Sequence, residues 1–247
     1  MPTVASSAVF DQTFRAAAAL LDQRDVPTRH LYGNQFVFRS VMRAYLPPPA
    51  AGAFPTMQQQ ADAMSPFDAT SDANRWSGMS ASSSVPDAGG LYCVLQQQAL
   101  VNEIMHYYRG QKGPVGPFDP ASLTDKAIVQ IRLLRTFSCL DLSKSNPQSQ
   151  YFLAKVLAAS GNAATPSGQH FPFVNAVQMQ RLLGADDCSI PRAIGLAVAA
   201  SNYLHALIMP TMRFSERSID ERGDNIVFFG PNRTPIAGLS FESVTYP

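Results

Sequence analysis

Charge is scarce in this sequence. Asp, Glu, Lys and Arg make up 15% of its 247 residues and nearly cancel, leaving a formal net charge of +1. No bulk field therefore steers the chain toward nucleic acid or an anionic membrane surface, and neither is expected as a partner. Among the bases, lysine is rare: it supplies 4 of 19 and arginine the other 15. An arginine fork grips phosphate or carboxylate bidentately, which a lysine point charge does not. Arginine-preferring codon usage accounts for the same excess. Only three cysteines are present, Cys93, Cys139 and Cys188, with no Cys-x-x-Cys pair. That excludes a zinc site or disulfide framework built on them, and the odd number suits a reducing compartment.

Other absences narrow the field further. No basic stretch followed by an apolar one opens the chain, and no apolar run reaches about 18 residues, so neither a signal peptide nor a membrane span is expected. The expected site of action is cytoplasmic, with delivery as a secreted effector lacking a cleaved signal left open. No Gly-x-Ser-x-Gly elbow and no His-Glu-x-x-His occur, and His30, His106, His170 and His205 are isolated from one another. Histidine-assisted nucleophilic hydrolysis and zincin chemistry find no support. Gly-x-Gly-x-x-Gly is also missing, so a Rossmann mode of dinucleotide binding is not expected.

What is present reads as one mixed α/β (α+β) domain, since 46% hydrophobic residues suffice for a substantial single core. Residues 11–23 predict a helix: Asp11 is placed to cap it, and Phe14, Ala17, Ala18 and Leu21 repeat at helical spacing. Residues 34–45 are aromatic and β-branched and predict a strand that Pro47, Pro48 and Pro49 stop. Residues 47–74, rich in Pro, Ala, Gln, Ser and Asp, read as a long loop. Further strands are predicted at 88–95, at 125–142 (one or two), at 204–209, at 225–229 and near 237–245. Helices are predicted at 96–109, 147–158, 174–184 and from Pro191, as first helical residue, to about Ser201. There is no internal repeat. Residues 1–33 are taken as a helical extension ahead of a 34–247 domain.

Several polar residues stand where folding alone does not call for them. Arg39 falls inside an aromatic strand, Arg75 and the sole tryptophan Trp76 follow the long loop, and Tyr92 follows Gly89-Gly90. Glu103 shares a helix face with Ala99, Leu100 and Tyr107, where a carboxylate costs energy without a partner or a pocket. Thr211 and Arg213 come directly after an apolar strand and Pro210. Singly, each has an ordinary reading. A strand arginine faces solvent or a carboxylate, a lone tryptophan is core, and Glu103 is solvated or pairs with Arg109. Thr211 makes a turn, and Asn225 makes a turn or a cap.

Their order says more. The series VFRSV (Arg39), NRWSG (Arg75, Trp76), GGLYCVLQQQALVNEI (Tyr92, Glu103), ALIMPTMR (Thr211, Arg213) and DNIVFFG (Asn225) resembles the RES family over residues 34–230. Within it, Ala99-Leu100-Val-Asn-Glu103 and Pro210-Thr211-Met-Arg213 match the family's Ala-Leu-x-x-Glu and Pro-Ser-x-Arg blocks. The sequence departs in three places. Thr211 replaces the usual serine and Asn74 the usual glycine before Arg75. The stretches at 47–74 and 160–172 are also long for the family.

The resemblance implies an ADP-ribosyltransferase-like core of short strands flanked by helices, and an enzyme that consumes NAD+ by breaking the nicotinamide–ribose bond. It implies a toxin that depletes cellular NAD, partnered by an antitoxin or immunity protein, with no cofactor beyond NAD+ as substrate. Glu103 would favour the oxocarbenium-like state, and Arg39 and Arg75, with Arg213, would clamp the pyrophosphate. Tyr92 would stack on nicotinamide or pack on the ribose, and the Thr211 hydroxyl would bond phosphate or ribose. Arg39 and Tyr92 join Glu103 as the catalytic set. Water as acceptor gives an NAD glycohydrolase, inorganic phosphate an NAD phosphorylase, and a protein side chain an ADP-ribosyltransferase. A non-catalytic NAD-binding or interaction protein on the same scaffold is the remaining alternative.

Overall fold

A computed structural model describes residues 7–47, 54–66, 76–78, 80, 83–98, 100, 125–143, 146–159, 189–210, 224–231 and 233–246. Helix α1 (Ser7–Asp22) begins before Asp11, so Asp11 lies within the helix and does not cap it. The apolar stripe explains the difference. Phe10, at 1% exposure, extends the spacing of Phe14, Ala17 and Leu21 back by a turn, and its burial draws the preceding residues into the helix. Strand β1 (Thr28–Leu31) follows, then β2 (Phe36–Met42). The turn between them has Asn34 at φ 68°, the left-handed region that asparagine tolerates. β2 is shorter than expected at both ends, because Arg43–Tyr45 turn into a 3-10 helix ahead of the prolines.

The stretch read as a loop holds helix α2 (Met57–Ala63). Its start is a capping box: Gln59 N–H donates to Thr56 Oγ1 at 3.2 Å, and Thr56 N–H to Gln59 Oε1 at 2.9 Å. Strands β3 (Gly89–Val94), β4 (Lys126–Leu133) and β5 (Phe137–Asp141) follow. Helices α3 (Pro147–Ala159) and α4 (Ser189–Ala200) precede strands β6 (Ala206–Pro210), β7 (Asp224–Gly230) and β8 (Leu239–Thr245). Pro191 is the third residue of α4 instead of the first, still in the turn where a missing N–H costs nothing. Of the helix expected at 96–109, residues 97, 98 and 100 are helical and 99 and 101–109 lie outside the described residues, as does the whole of 174–184.

The eight strands among the described residues form one mixed sheet in the order β1-β5-β6-β7-β3-β2-β4-β8. Every pairing is antiparallel except β5 with β6, whose chain crosses over by way of α3 and α4. Alternation along the central strands buries both faces. Leu140, Leu207 and Val227 lie under α1, α3 and α4, in a cluster with Ile194 and Phe152. Phe137, Ile208, Ile226 and Phe228 point the other way and pack with Val129, Ile131 and Phe241 of β4 and β8. β4 is three strands from β7, about 14 Å away in a flat sheet, so this contact requires the sheet to curl over its own face. Residues 7–31, read from sequence as an extension, contribute α1 and β1 to this body. Phe10 packs on Ala193 and Leu196 of α4, and Leu31 joins the cluster inside the curl.

His205 fastens the parallel pair at its start. Its backbone N–H donates to Ser138 O at 2.8 Å, and Ser138 N–H donates to its Nδ1 at 3.2 Å. Burial, and then the nearby Arg135, hold the His205 imidazole below its ordinary value of 6.5. The neutral ring is thus favoured by folding, and this contribution is complete above pH 6.5 and lost as pH falls through the folded value. His205→Asn, which keeps an acceptor near the Nδ1 position, should therefore lose less stability than the native chain between about pH 7.5 and about pH 5.5. Urea unfolding midpoints at the two pH values measure this, and identical slopes would refute it.

Candidate functional site

Four of the five motif segments fold as neighbouring strands. In sheet order β6, β7, β3 and β2 are consecutive, although 164 residues separate Met42 from Ala206 in the chain. Their register aligns one end: Phe38 pairs with Val94, Val94 and Met209 both with Asn225, and Pro210 with Asp224. The chain leaves Val94 toward Glu103 and leaves Pro210 toward Thr211 and Arg213. Both departures are from the same end of the sheet, on either side of Asp224 and Asn225. Glu103, Arg75, Thr211 and Arg213 themselves lie outside the described residues.

The fifth segment leans on β3. Trp76 N–H donates to Tyr92 Oη at 3.1 Å, and Ser77 Oγ is 3.4 Å from the same oxygen. Two glycines permit this approach. A Cβ at Gly90 would come within 2.6 Å of Ser77 Oγ, and one at Gly195 on α4 within 1.9 Å of the Trp76 carbonyl oxygen. Trp76, 3% exposed, is core between α4 and the sheet, with Tyr92 packed against the same cluster. These contacts hold the Tyr92 ring on the helix-covered face.

Arg39 belongs to the other face. It shares a face with buried Val37, two residues before it on β2, is 5% exposed, and donates from Nη1 to Ala63 O at 2.6 Å and Ser65 O at 3.0 Å. The carbonyls at the end of α2 carry the negative pole of that helix, and a buried cation suits them. Burial lowers the Arg39 pKa, while the neighbouring Cys93 thiol is pushed up to about 12 by its own burial. Cys93 and Tyr92 are adjacent on a strand and so face opposite ways. The structure accordingly does not bring the Arg39 guanidinium and the Tyr92 phenol together.

Three charged groups gather at the shared end without having been singled out in the sequence. Asp224 and Asp141 are 4% and 6% exposed, and Arg29 Nη1 of β1 lies 4.0 Å from Asp224 Oδ2. Asp141 accepts from Ser143 N–H at 3.0 Å and from Asn146 Nδ2 at 3.1 Å, which fastens the turn into α3. The signal was present: an aspartate opens the apolar strand DNIVFFG and another closes FSCLD, where a charge needs a partner to be buried. Among the described residues no three His, Cys, Asp or Glu side chains are grouped to hold a metal, and no helix is long and apolar enough to cross a membrane. Compared with known proteins, the chain matches no family model and no curated sequence.

Proposed function

We propose that this protein binds NAD+ and breaks its nicotinamide–ribose bond, with water or inorganic phosphate as the acceptor. The observation that carries the reading is the gathering of the motif segments. Strands β6, β7, β3 and β2 lie side by side, and the chain departs toward Glu103 and toward Thr211 and Arg213 from one end of them. In the reaction the C–N bond breaks with its electron pair passing to the nicotinamide nitrogen, while positive charge grows on the ribose. The acceptor oxygen then bonds to the anomeric carbon, and water in that role gives up a proton. A carboxylate beside the sugar stabilises this state more than the ground state, and Glu103 fills that role. With Arg39 engaged by the α2 carbonyls, the pyrophosphate falls to Arg75 and Arg213. The Tyr92 ring, held through its hydroxyl, packs against the ribose or nicotinamide, and Thr211 supplies a hydroxyl for phosphate or ribose.

Purified protein should release nicotinamide from NAD+. Glu103→Gln should lower the rate by about 10²-fold or more, the range seen when one electrostatic stabiliser is removed, with an unchanged unfolding midpoint. Full turnover in that variant would remove Glu103 from the mechanism, and no nicotinamide from the native protein would refute the activity. Chromatography of the products with and without inorganic phosphate separates hydrolysis from phosphorolysis. Inside a cell such turnover drains NAD, so the partner this reading calls for is an antitoxin or immunity protein.

A further inference from the structure

A cavity lies on the Arg39 face of the sheet, toward the end away from Val94 and Pro210. β2 and β3 share a single bridged pair, Phe38 with Val94, whereas β2 stays paired with β4 through Met42. Beyond Arg39 the two strands part, and the opening between β2 and the end of α2 is a cavity of about 650 Å³, within the range of small-molecule sites. Among the described residues, Arg39, Lys126 and Arg233 line it with one carboxylate, Asp62.

Two cations of the lining suit an anionic ligand, and a third feature gives the cavity an apolar side. The Lys126 ammonium lies against the side chain of Met42, its partner across β2 and β4, and pairs with no carboxylate among the described residues. Arg233, the second cation, is held at φ 55°, a left-handed conformation that costs a non-glycine residue free energy. Tyr45 is 71% exposed and Met42 40%, which gives the mouth of the cavity an apolar flank beside its cations. From Arg39 to Met42 the cavity runs about 10 Å along β2, away from the end where the chain departs toward Glu103 and Thr211.

We propose that this cavity binds a mononucleotide-sized organic phosphate, with the phosphate between Lys126 and Arg233 and a flat ring against Tyr45. The site is independent of the NAD reading. The test is calorimetric titration with AMP, with adenosine and inorganic phosphate as separate arms. AMP should bind, and adenosine and inorganic phosphate should each bind more weakly by about tenfold, since each lacks one half of the recognition. Lys126→Gln and Arg233→Gln should each weaken AMP by a similar factor of about ten, and Lys126→Arg should largely restore it. Tyr45→Ala should bring AMP affinity down to that of inorganic phosphate. Nicotinamide release should be the same in Lys126→Gln as in the native chain.

Absence of AMP binding at millimolar concentration, equal binding of adenosine, or undiminished affinity in a folded Lys126→Gln would each overturn the proposal. So would a parallel loss of nicotinamide release, which would make the cavity part of the donor site. If the native chain releases no nicotinamide at all, the AMP titrations still decide this proposal, so the two failures are distinguishable.

Discussion

Gly195→Ala should destabilise the protein more than any other single-methyl change at the described glycines. The glycine lies in mid-α4, where helix propensity alone would favour alanine by about 1 kcal/mol. Contact opposes it. The added Cβ would stand 1.9 Å from the Trp76 carbonyl oxygen and 2.9 Å from its carbon, both backbone atoms that no rotamer change can move. Restoring ordinary contact requires the helix or the Trp76 turn to shift by more than about 1 Å in a close-packed interior. Trp76 is buried, and its N–H is committed to Tyr92, so the turn cannot give way alone. Overpacking of this kind costs about 3 kcal/mol or more. In a chain of this size that lowers the melting temperature by roughly 6–12 °C.

The same shift would disturb the Tyr92 ring, so nicotinamide release should fall in the surviving folded fraction as well. Gly90→Ala tests the other side of the contact. Its Cβ would meet Ser77 Oγ at 2.6 Å and Val227 Cγ1 at 2.9 Å, side-chain atoms that can move, and its cost should be smaller. A Gly195→Ala protein melting with the native one would show that α4 and the Trp76 turn are not in contact.

Why some elements could be read in the sequence and others could not follows from what each depends on. β7 and β3 announce themselves, because a strand buried on both faces must be apolar nearly throughout, and NIVFF and GLYCV are. β1 does not: Thr28, Arg29 and His30 carry no strand pattern, and only its register with Phe137–Leu140 makes it one. The composition of 47–74 concealed α2, although Thr56-x-x-Gln59 is a legible start signal. Alternation along GGLYCV places Tyr92 and Cys93 on opposite faces, but no local pattern says which of the two Arg39 will accompany. That depends on β2 pairing with β3 at Phe38 and Val94, a contact across 56 residues of chain. The parting of the two strands beyond that pair, and hence the cavity, is likewise a property of the assembled sheet.

Arg39 carries the second large effect, and its variants separate two roles. The guanidinium satisfies the Ala63 and Ser65 carbonyls in a buried setting. Arg39→Met keeps most of the stem and removes both hydrogen bonds, leaving two buried acceptors that cost about 1–3 kcal/mol each unless water enters from the cavity. A loss of about 2–4 kcal/mol is expected, or a melting point lower by roughly 5–15 °C. Arg39→Lys should recover part of it: the charge still favours the helix end, but an ammonium on a shorter reach lacks the planar fork. Thermal and urea unfolding measure these losses, and the kinetics of nicotinamide release decide what they mean. If Arg39 acts by holding the end of α2, the folded variants keep their KM for NAD+ and lose stability. If it grips the pyrophosphate, Arg39→Met melts like the native protein and its KM rises about tenfold or more, the cost of a charge-assisted contact. The 2.6 Å bond to Ala63 favours the first outcome, because it commits the Nη1 end of the guanidinium to the end of α2.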